Sequence, residues 1–371
     1  MMEPVVKINS EENNTLLFTI TGINHSLANS LRRIILSDIP TIVFRTFPHS
    51  ESKVDITVNT TRLNNEILKQ RIGCIPIHIT DSDFPYEEYV VEVDKQNNSD
   101  VIELITTADF KIKNIPTNKY LSESAVKEIF PPDIITGDYI IITRLRPKMS
   151  DNIQGEHLKF TASFDVGNAK QDGMYNVVST AAYGATTDMV KANDVWNEKK
   201  QELAKSGSSE EEIDFQRKDW LLLDAKRIIT PDSFDFTIES VGVYSNIEIV
   251  RKACDIMIDK CYSFIQLLKD DKIEIKENDN TTVDNEYIIT LHNEDYTLGN
   301  ALVYFLYENY YLGSKKLSFV GFKVPHPHIP NGIIRMAFEA NSDKTDVIQY
   351  LTNASQDVIT TFTNIRNNFK E

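Results

Sequence analysis

Apolar residues recur along this chain in two rhythms, and the helical one is the easier to follow. After Asn246, Ile247, Val250, Cys254, Met257, Cys261, Phe264 and Leu268 step by three and four, which predicts a long helix packed along its length against something apolar. After Asp343, Val347, Leu351, Ala354, Val358 and Ile365 do the same, with Ile348, Ile359 and Phe362 widening the stripe. Two shorter stretches follow the same rule: Leu27, Leu31, Ile34 and Ile35, then Leu298, Leu302, Phe305 and Leu306. Alternation of period two predicts strands at Leu16 to Ile20, Thr41 to Phe47, Phe234 to Ile238, Tyr287 to Leu291, Leu317 to Val324 and Gly332 to Phe338.

The two short helical stretches are alike residue by residue. S-L-A-N-S-L-R-R-I-I at Ser26 to Ile35 aligns without a gap on T-L-G-N-A-L-V-Y-F-L at Thr297 to Leu306. What differs is the other face, where Arg32 and Arg33 become Val303 and Tyr304. Around each stretch the order is strand, helix, strand, strand, long helix, the mark of an internal repeat. The first copy is split between its second and third strands. The expected class is therefore α+β: two units, each an antiparallel sheet with two helices, paired about a pseudo-twofold axis, the first interrupted by a β-rich inserted domain. The expected boundaries are 1–48 with 230–268 for the first unit, 49–229 for the insertion, 269–285 for a linker and 286–371 for the second unit. Neither unit, at roughly 90 to 100 residues, buries all its apolar faces alone, so face-to-face pairing is expected. Its core is expected from Leu27, Leu31, Ile34, Ile35, Met257, Cys261 and Phe264 of one copy, with Leu298, Leu302, Phe305, Leu306, Leu351 and Val358 of the other.

Within the insertion, Val54 to Val58 and Gly73 to Thr80 read as extended and Asn64 to Arg71 as a short helix. Asp194 to Asp219 is charge-dense, with K-S-G-S-S-E-E-E at its middle, and reads as two solvated helices joined by a mobile turn. The polar stretch Lys269 to Asn285 reads as a tether reaching roughly 20 to 25 Å.

Charge and cysteine content narrow the function. A net charge of −16 over 371 residues argues against a chain that coats nucleic acid by itself. No apolar run approaches membrane-spanning length, and the N-terminus lacks the blocks of a signal peptide, so a reducing compartment is expected. Three cysteines fit that expectation. Cys254 and Cys261, seven positions apart on a helical pattern, read as buried packing residues rather than metal ligands.

The motif N-S-L-R-R-I-I-L-S-D-I-P-T at Asn29 to Thr41, with T-R-L-N-N-E-I-L-K-Q-R-I-G-C-I-P at Thr61 to Pro76 and F-T-I-E-S-V-G at Phe236 to Gly242, resembles the third subunit of eukaryotic RNA polymerase II and its archaeal counterpart. H-N-E-D-Y-T-L-G-N-A-L at His292 to Leu302 and G-F-K-V-P-H-P-H at Gly321 to His328 resemble the eleventh subunit. T-L-G-N-A-L also resembles the helix motif of the bacterial alpha subunit, which works as a homodimer. One chain carrying both is similar to the fused polymerase subunit of large nucleocytoplasmic DNA viruses. The resemblance implies a non-catalytic assembly platform of a DNA-directed RNA polymerase, docking the largest and second-largest subunits. It further implies small zinc-binding subunits as partners, DNA and RNA reached only through the complex, and no need for a homo-oligomer. It places the protein in the virion and host cytoplasm if viral, otherwise in the nucleus. Arg32 and Arg33 are expected to face the second-largest subunit, and Lys323, His326 and His328 the largest. Third subunits often carry a cysteine cluster for zinc or an iron-sulfur centre in the inserted domain. Here only Cys74 lies there, one sulfur being too few for a tetrahedral thiolate site, so no metal and no cofactor are expected.

Two other readings compete. An independent enzyme would have to use His292 with Asp295, or the His326/His328 pair, yet no nucleophile, phosphate cradle or ordered acid/base pair accompanies them. A free-standing scaffold or transcription regulator that reuses the dimer fold is the second, because fold does not fix function.

Overall fold

A computed structural model describes residues 3–81, 83–148, 150, 154–277 and 283–369. The chain opens with β1 (Val5–Glu12), β2 (Thr15–Thr21) and α1 (His25–Ser37). Then come β3 (Thr41–Val43), β4 (Val54–Asn59), α2 (Asn65–Gly73), β5 (Tyr89–Gln96), β6 (Glu103–Thr106), β7 (Lys111–Asn114) and β8 (Lys119–Tyr120). They are followed by α3 (Glu123–Ile129), β9 (Ile141–Leu145), β10 (His157–Ser163) and β11 (Asp165–Gly167). β12 (Val178–Thr187), α4 (Met189–Lys205), α5 (Glu210–Leu222), β13 (Ile229–Ser240) and the long α6 (Asn246–Lys269) complete the first two thirds. The remainder is β14 (Glu274–Glu277), β15 (Glu286–His292), α7 (Tyr296–Leu306), a π-helical turn (Tyr307–Gly313), β16 (Leu317–Lys323), β17 (Asn331–Phe338) and α8 (Lys344–Asn368).

These elements fall into two compact units. The larger holds Met1–Ile35, Thr180–Glu239 and Asn246–Glu371; the smaller holds Leu36–Ser179 with Ser240–Ser245.

Two four-stranded sheets of the same design lie in the larger unit, with strand orders β1-β2-β13-β12 and β14-β15-β17-β16. The likeness extends to register. β2 and β15 are displaced by a constant 271 positions, as are the starts of α1 and α7. α6 and α8 start 98 positions apart, and the same offset carries the β2–β13 pairing (Thr21 opposite Ser233) onto the β15–β17 pairing (His292 opposite Asn331). A one-residue slip would turn every apolar side chain of a strand to the wrong face, so a shared register means that both sheets bury the same positions.

Local chemistry sets the helix starts. Asn24 accepts from Leu27 N at 3.1 Å at the head of α1, and Asp295 accepts from Thr297 N at 2.8 Å at the head of α7. Asp343 and Asp346 form a reciprocal capping box on α8.

The smaller unit is built on the antiparallel sheet β4-β10-β5-β7-β8, with the pairs β3–β11 and β6–β9. Its core gathers Phe44, Phe110, Phe130, Phe160 and Phe164, with the Phe44 and Phe164 rings 5.3 Å apart. Arg45 reaches Asp165 at 2.5 Å and donates to the Val166 carbonyl, tying β11 to the end of β3.

Several expectations are corrected here. The stretch Thr41–Phe47 does not supply the second strand of the first copy: β3 pairs with β11 in the smaller unit, and β12 takes the place beside β13. Alternation shows that a strand has one buried face but not which sheet it joins. The charged arm belongs to the larger unit, where α4 and α5 close over their own small core of Ala192, Trp196, Ile213 and Trp220. The stretch Lys269–Asn285 is not wholly a tether, because β14 pairs along β15 with Ile275 opposite Ile289; residues 278–282 of it lie outside the described residues. β14 is an edge strand, and its Glu-Ile-Lys-Glu sequence has the charged character that edges carry.

Candidate assembly interface

Inside the larger unit the two copies touch through their helices. α6 and α8 run antiparallel. Lys344, at the start of α8, meets Asp271 just past the end of α6 at 2.5 Å, whereas Arg366, near the end of α8, lies 2.8 Å from Asp255 in the first half of α6. That last contact is at ion-pair distance although the Nε–H is not aimed along it. Phe369, just beyond α8, sets its ring edge-on to Phe18 of β2 at 5.1 Å, so the end of α8 rests on the sheet of the other copy.

The thirteen residues expected in the pairing core are all buried, none more than 4% exposed. Burial pushes the Cys254 thiol far up, and the Cys261 thiol up to about 12, with the nearby Glu294 carboxylate adding to the latter. Both thiols are therefore packing groups.

α1 meets the head of α7 through polar atoms. Ser30 Oγ donates to the Thr297 carbonyl at 2.6 Å. Arg33 Nε donates to Thr297 Oγ1 at 2.9 Å and Nη2 to Asp295 Oδ2 at 2.5 Å. Burial pushes the Asp295 carboxyl up, but the hydroxyl and amide of Thr297 together with the Arg33 charge outweigh it and hold the group below the usual carboxylate range. Arg33 is thus used inside the chain, with about a third of its side chain left exposed. The sequence hides this because nothing near Arg33 in the chain reveals that the head of α7 packs beside it.

Arg32 behaves differently. Both of its bonded nitrogens reach Asn29 Oδ1 on its own helix, at 3.1 and 2.9 Å, and the residue is half-buried. Lys323, His326 and His328 are exposed at the end of β16 and in the loop that follows. Their loop is shaped by its own bonds: the His328 amide donates to His326 Nδ1 at 3.1 Å and the Ile329 amide to the His326 carbonyl.

His292 lies 3.3 Å from Asn331 Oδ1, and Asp295 is taken up by Thr297 and Arg33. In the smaller unit a cleft of about 760 Å³ is lined among others by Phe47, Asp55, Glu66, Lys69, Cys74 and Asp172. Burial, with Asp172 nearby, pushes the Cys74 thiol up, away from a reactive thiolate. Among the described residues no group of three or more histidine, cysteine or carboxylate side chains is placed to hold a metal, and no helix is long and apolar enough to cross a membrane.

The geometry is that of a chain holding two copies of one α+β unit against each other through paired helices. The chain belongs to the RNA polymerase Rpb3/Rpb11 dimerisation domain family, whose profiles match residues 17–261 and again 286–368. It is 26% identical over 301 residues to the DNA-directed RNA polymerases I and III subunit RPAC1 of Bos taurus, covering 69% of this chain and 82% of that protein. Against the rpac1 subunit of Dictyostelium discoideum it is 27% identical over 295 residues, 69% of this chain and 79% of that one. An 83-residue stretch, 22% of this chain and 26% of its relative, is 34% identical to the RNA polymerase II subunit RPB3 of Schizosaccharomyces pombe.

Proposed function

We propose that this protein is a non-catalytic assembly subunit of a multisubunit DNA-directed RNA polymerase. One chain supplies both members of a dimer that third and eleventh subunits form as separate proteins. Its two copies pair about a pseudo-twofold axis, the segment between α1 and β12 is inserted into the first copy, and the pair docks the two large catalytic subunits. The single observation that carries this reading is the repeated sheet-and-helix unit, alike in strand order and register, with α6 of one copy lying along α8 of the other.

In this proposal Arg32 and the loop of Lys323, His326 and His328 contact the large subunits, while Arg33 serves the pairing. Small zinc-binding subunits join the same assembly, and nucleic acid is reached only through the complex. The protein resides where that polymerase works, the nucleus or, for a viral polymerase, the virion and host cytoplasm.

Purification of the tagged chain from its native source tests this. Two large polymerase subunits are expected to co-purify at near equal amounts, and recovery of neither rejects the assignment.

A further inference from the structure

The ionic contacts between the two copies are not repeated by the likeness of the copies. Setting aside the largely exposed Lys344 with Asp271 beyond the end of α6, these are Arg33 with Asp295, Lys260 Nζ of α6 at 3.2 Å from Glu294 Oε1 ahead of α7, with both side chains about one-fifth exposed, and Arg366 of α8 with Asp255 of α6. Because the copies keep constant offsets, each of these residues has a known counterpart. Lys260 and Glu294 correspond to Val358 and Ile23, both fully or almost fully buried. Asp255 and Arg366 correspond to Asn353 and Leu268. Arg33 and Asp295 correspond to Tyr304 and Asn24. At every such place, one side of the junction carries an ion pair and the other carries apolar or neutral groups.

We propose that these three ion pairs act as a matching rule, admitting the pairing of a first copy with a second copy and penalising the pairing of like copies between two chains. The proposal rests on the intramolecular pairing described under Proposed function. Two first copies would set Lys260 against Ile23, Asp255 against Leu268 and Arg33 against Asn24, each twice. Two second copies would set Glu294 against Val358, Arg366 against Asn353 and Asp295 against Tyr304, again twice. Either arrangement replaces each of these ion pairs by a charge set against an apolar or neutral side chain, and that cost falls on the wrong pairing alone. The apolar faces of α6 and α8 cannot make the distinction, since both present stripes of the same period.

Three full-length variants test the rule, each neutral in net charge. One carries Lys260→Glu with Asp255→Arg, the second Glu294→Lys with Arg366→Asp, and the third all four changes. Each of the first two sets like charges together in its own junction and is expected to melt about 5 to 10 °C below the natural chain. The fourfold variant restores both pairs with reversed sign and is expected to melt within about 2 °C of the natural chain and to stay monomeric. Co-expression of the first two is expected to give a mixed dimer, seen by light scattering, in which each chain lends its second copy to the other. A fourfold variant that melts as low as its parents, parents that melt like the natural chain, or failure of the mixed dimer to form overturns the rule. Failure of the pairing itself is separately visible. A zero-length carbodiimide cross-link joins Lys260 to Glu294 within the monomeric natural chain if the copies pair, and its absence removes the pairing whatever the melts show.

Discussion

Arg32 and Arg33 are neighbours in sequence with opposite fates in the structure, and truncating each should separate them. Arg33→Ala removes a bond to Thr297 Oγ1 and an ion pair to Asp295, whose side chains are each about one-third exposed. A partly exposed ion pair contributes about 0.5–1 kcal/mol and a hydrogen bond from a charged donor about 1–1.5 kcal/mol, giving about 1.5–2.5 kcal/mol in all. For a unit of this size each kcal/mol moves the melting temperature by about 2–4 °C, so a fall of about 3–10 °C is expected. Arg32→Ala loses only a contact to Asn29 three positions back on its own helix, about 0.3–0.5 kcal/mol, and should melt within about 2 °C of the natural chain. Differential scanning calorimetry reads both. Co-purification reads the complementary quantity: Arg32→Glu should weaken recovery of the large subunits at nearly unchanged melting. The assignment is refuted if Arg32→Ala melts lower while Arg33→Ala does not, because the two guanidinium groups would then have exchanged roles.

Gly299→Ala should lower the melting temperature by about 3–8 °C by calorimetry, because a Cβ there would lie 2.3 Å from the Phe322 ring, which also packs closely on Gly332 and edge-on to Tyr296. In a thiol-labelling assay at neutral pH, Cys74, exposed but with its ionisation held back, should react slowly in the folded chain and faster on unfolding, whereas Cys254 and Cys261 should react only on unfolding, being fully buried with their ionisation suppressed. The folded Asp295 carboxyl ionises below its unfolded value of about 3.9, so its stabilising contribution is full above that value and is lost as pH falls through the folded one. The gap in urea midpoint between the natural chain and Asp295→Asn should therefore close below about pH 4; a gap independent of pH would show that the carboxylate charge does not matter.

Periodicity alone located both long helices and both short ones, because a helix with one apolar stripe writes that stripe into the sequence at a spacing no strand shares. Leu31, Met257, Leu302 and Val358 were legible as core for the same reason, and the likeness of S-L-A-N-S-L to T-L-G-N-A-L pointed to one unit present twice. The edge strands β1 and β14 were not legible. An edge strand is held from one side only and tolerates Lys7, Glu11, Glu274 and Lys276, so it writes little apolar alternation into the sequence. Strand partnership was decided by tertiary structure as well: β3 pairs with β11 and β12 lies beside β13, and no local pattern states which distant segment a strand will meet.

What the sequence determined by itself was the set of faces this chain must bury and the fact that they come in two like copies. Which charges meet was decided only when those faces closed. Arg33 reaches Asp295, Lys260 reaches Glu294 and Asp255 reaches Arg366 across chain separations that no local pattern encodes, since an ion pair depends on distance in space and leaves no periodic trace along the backbone.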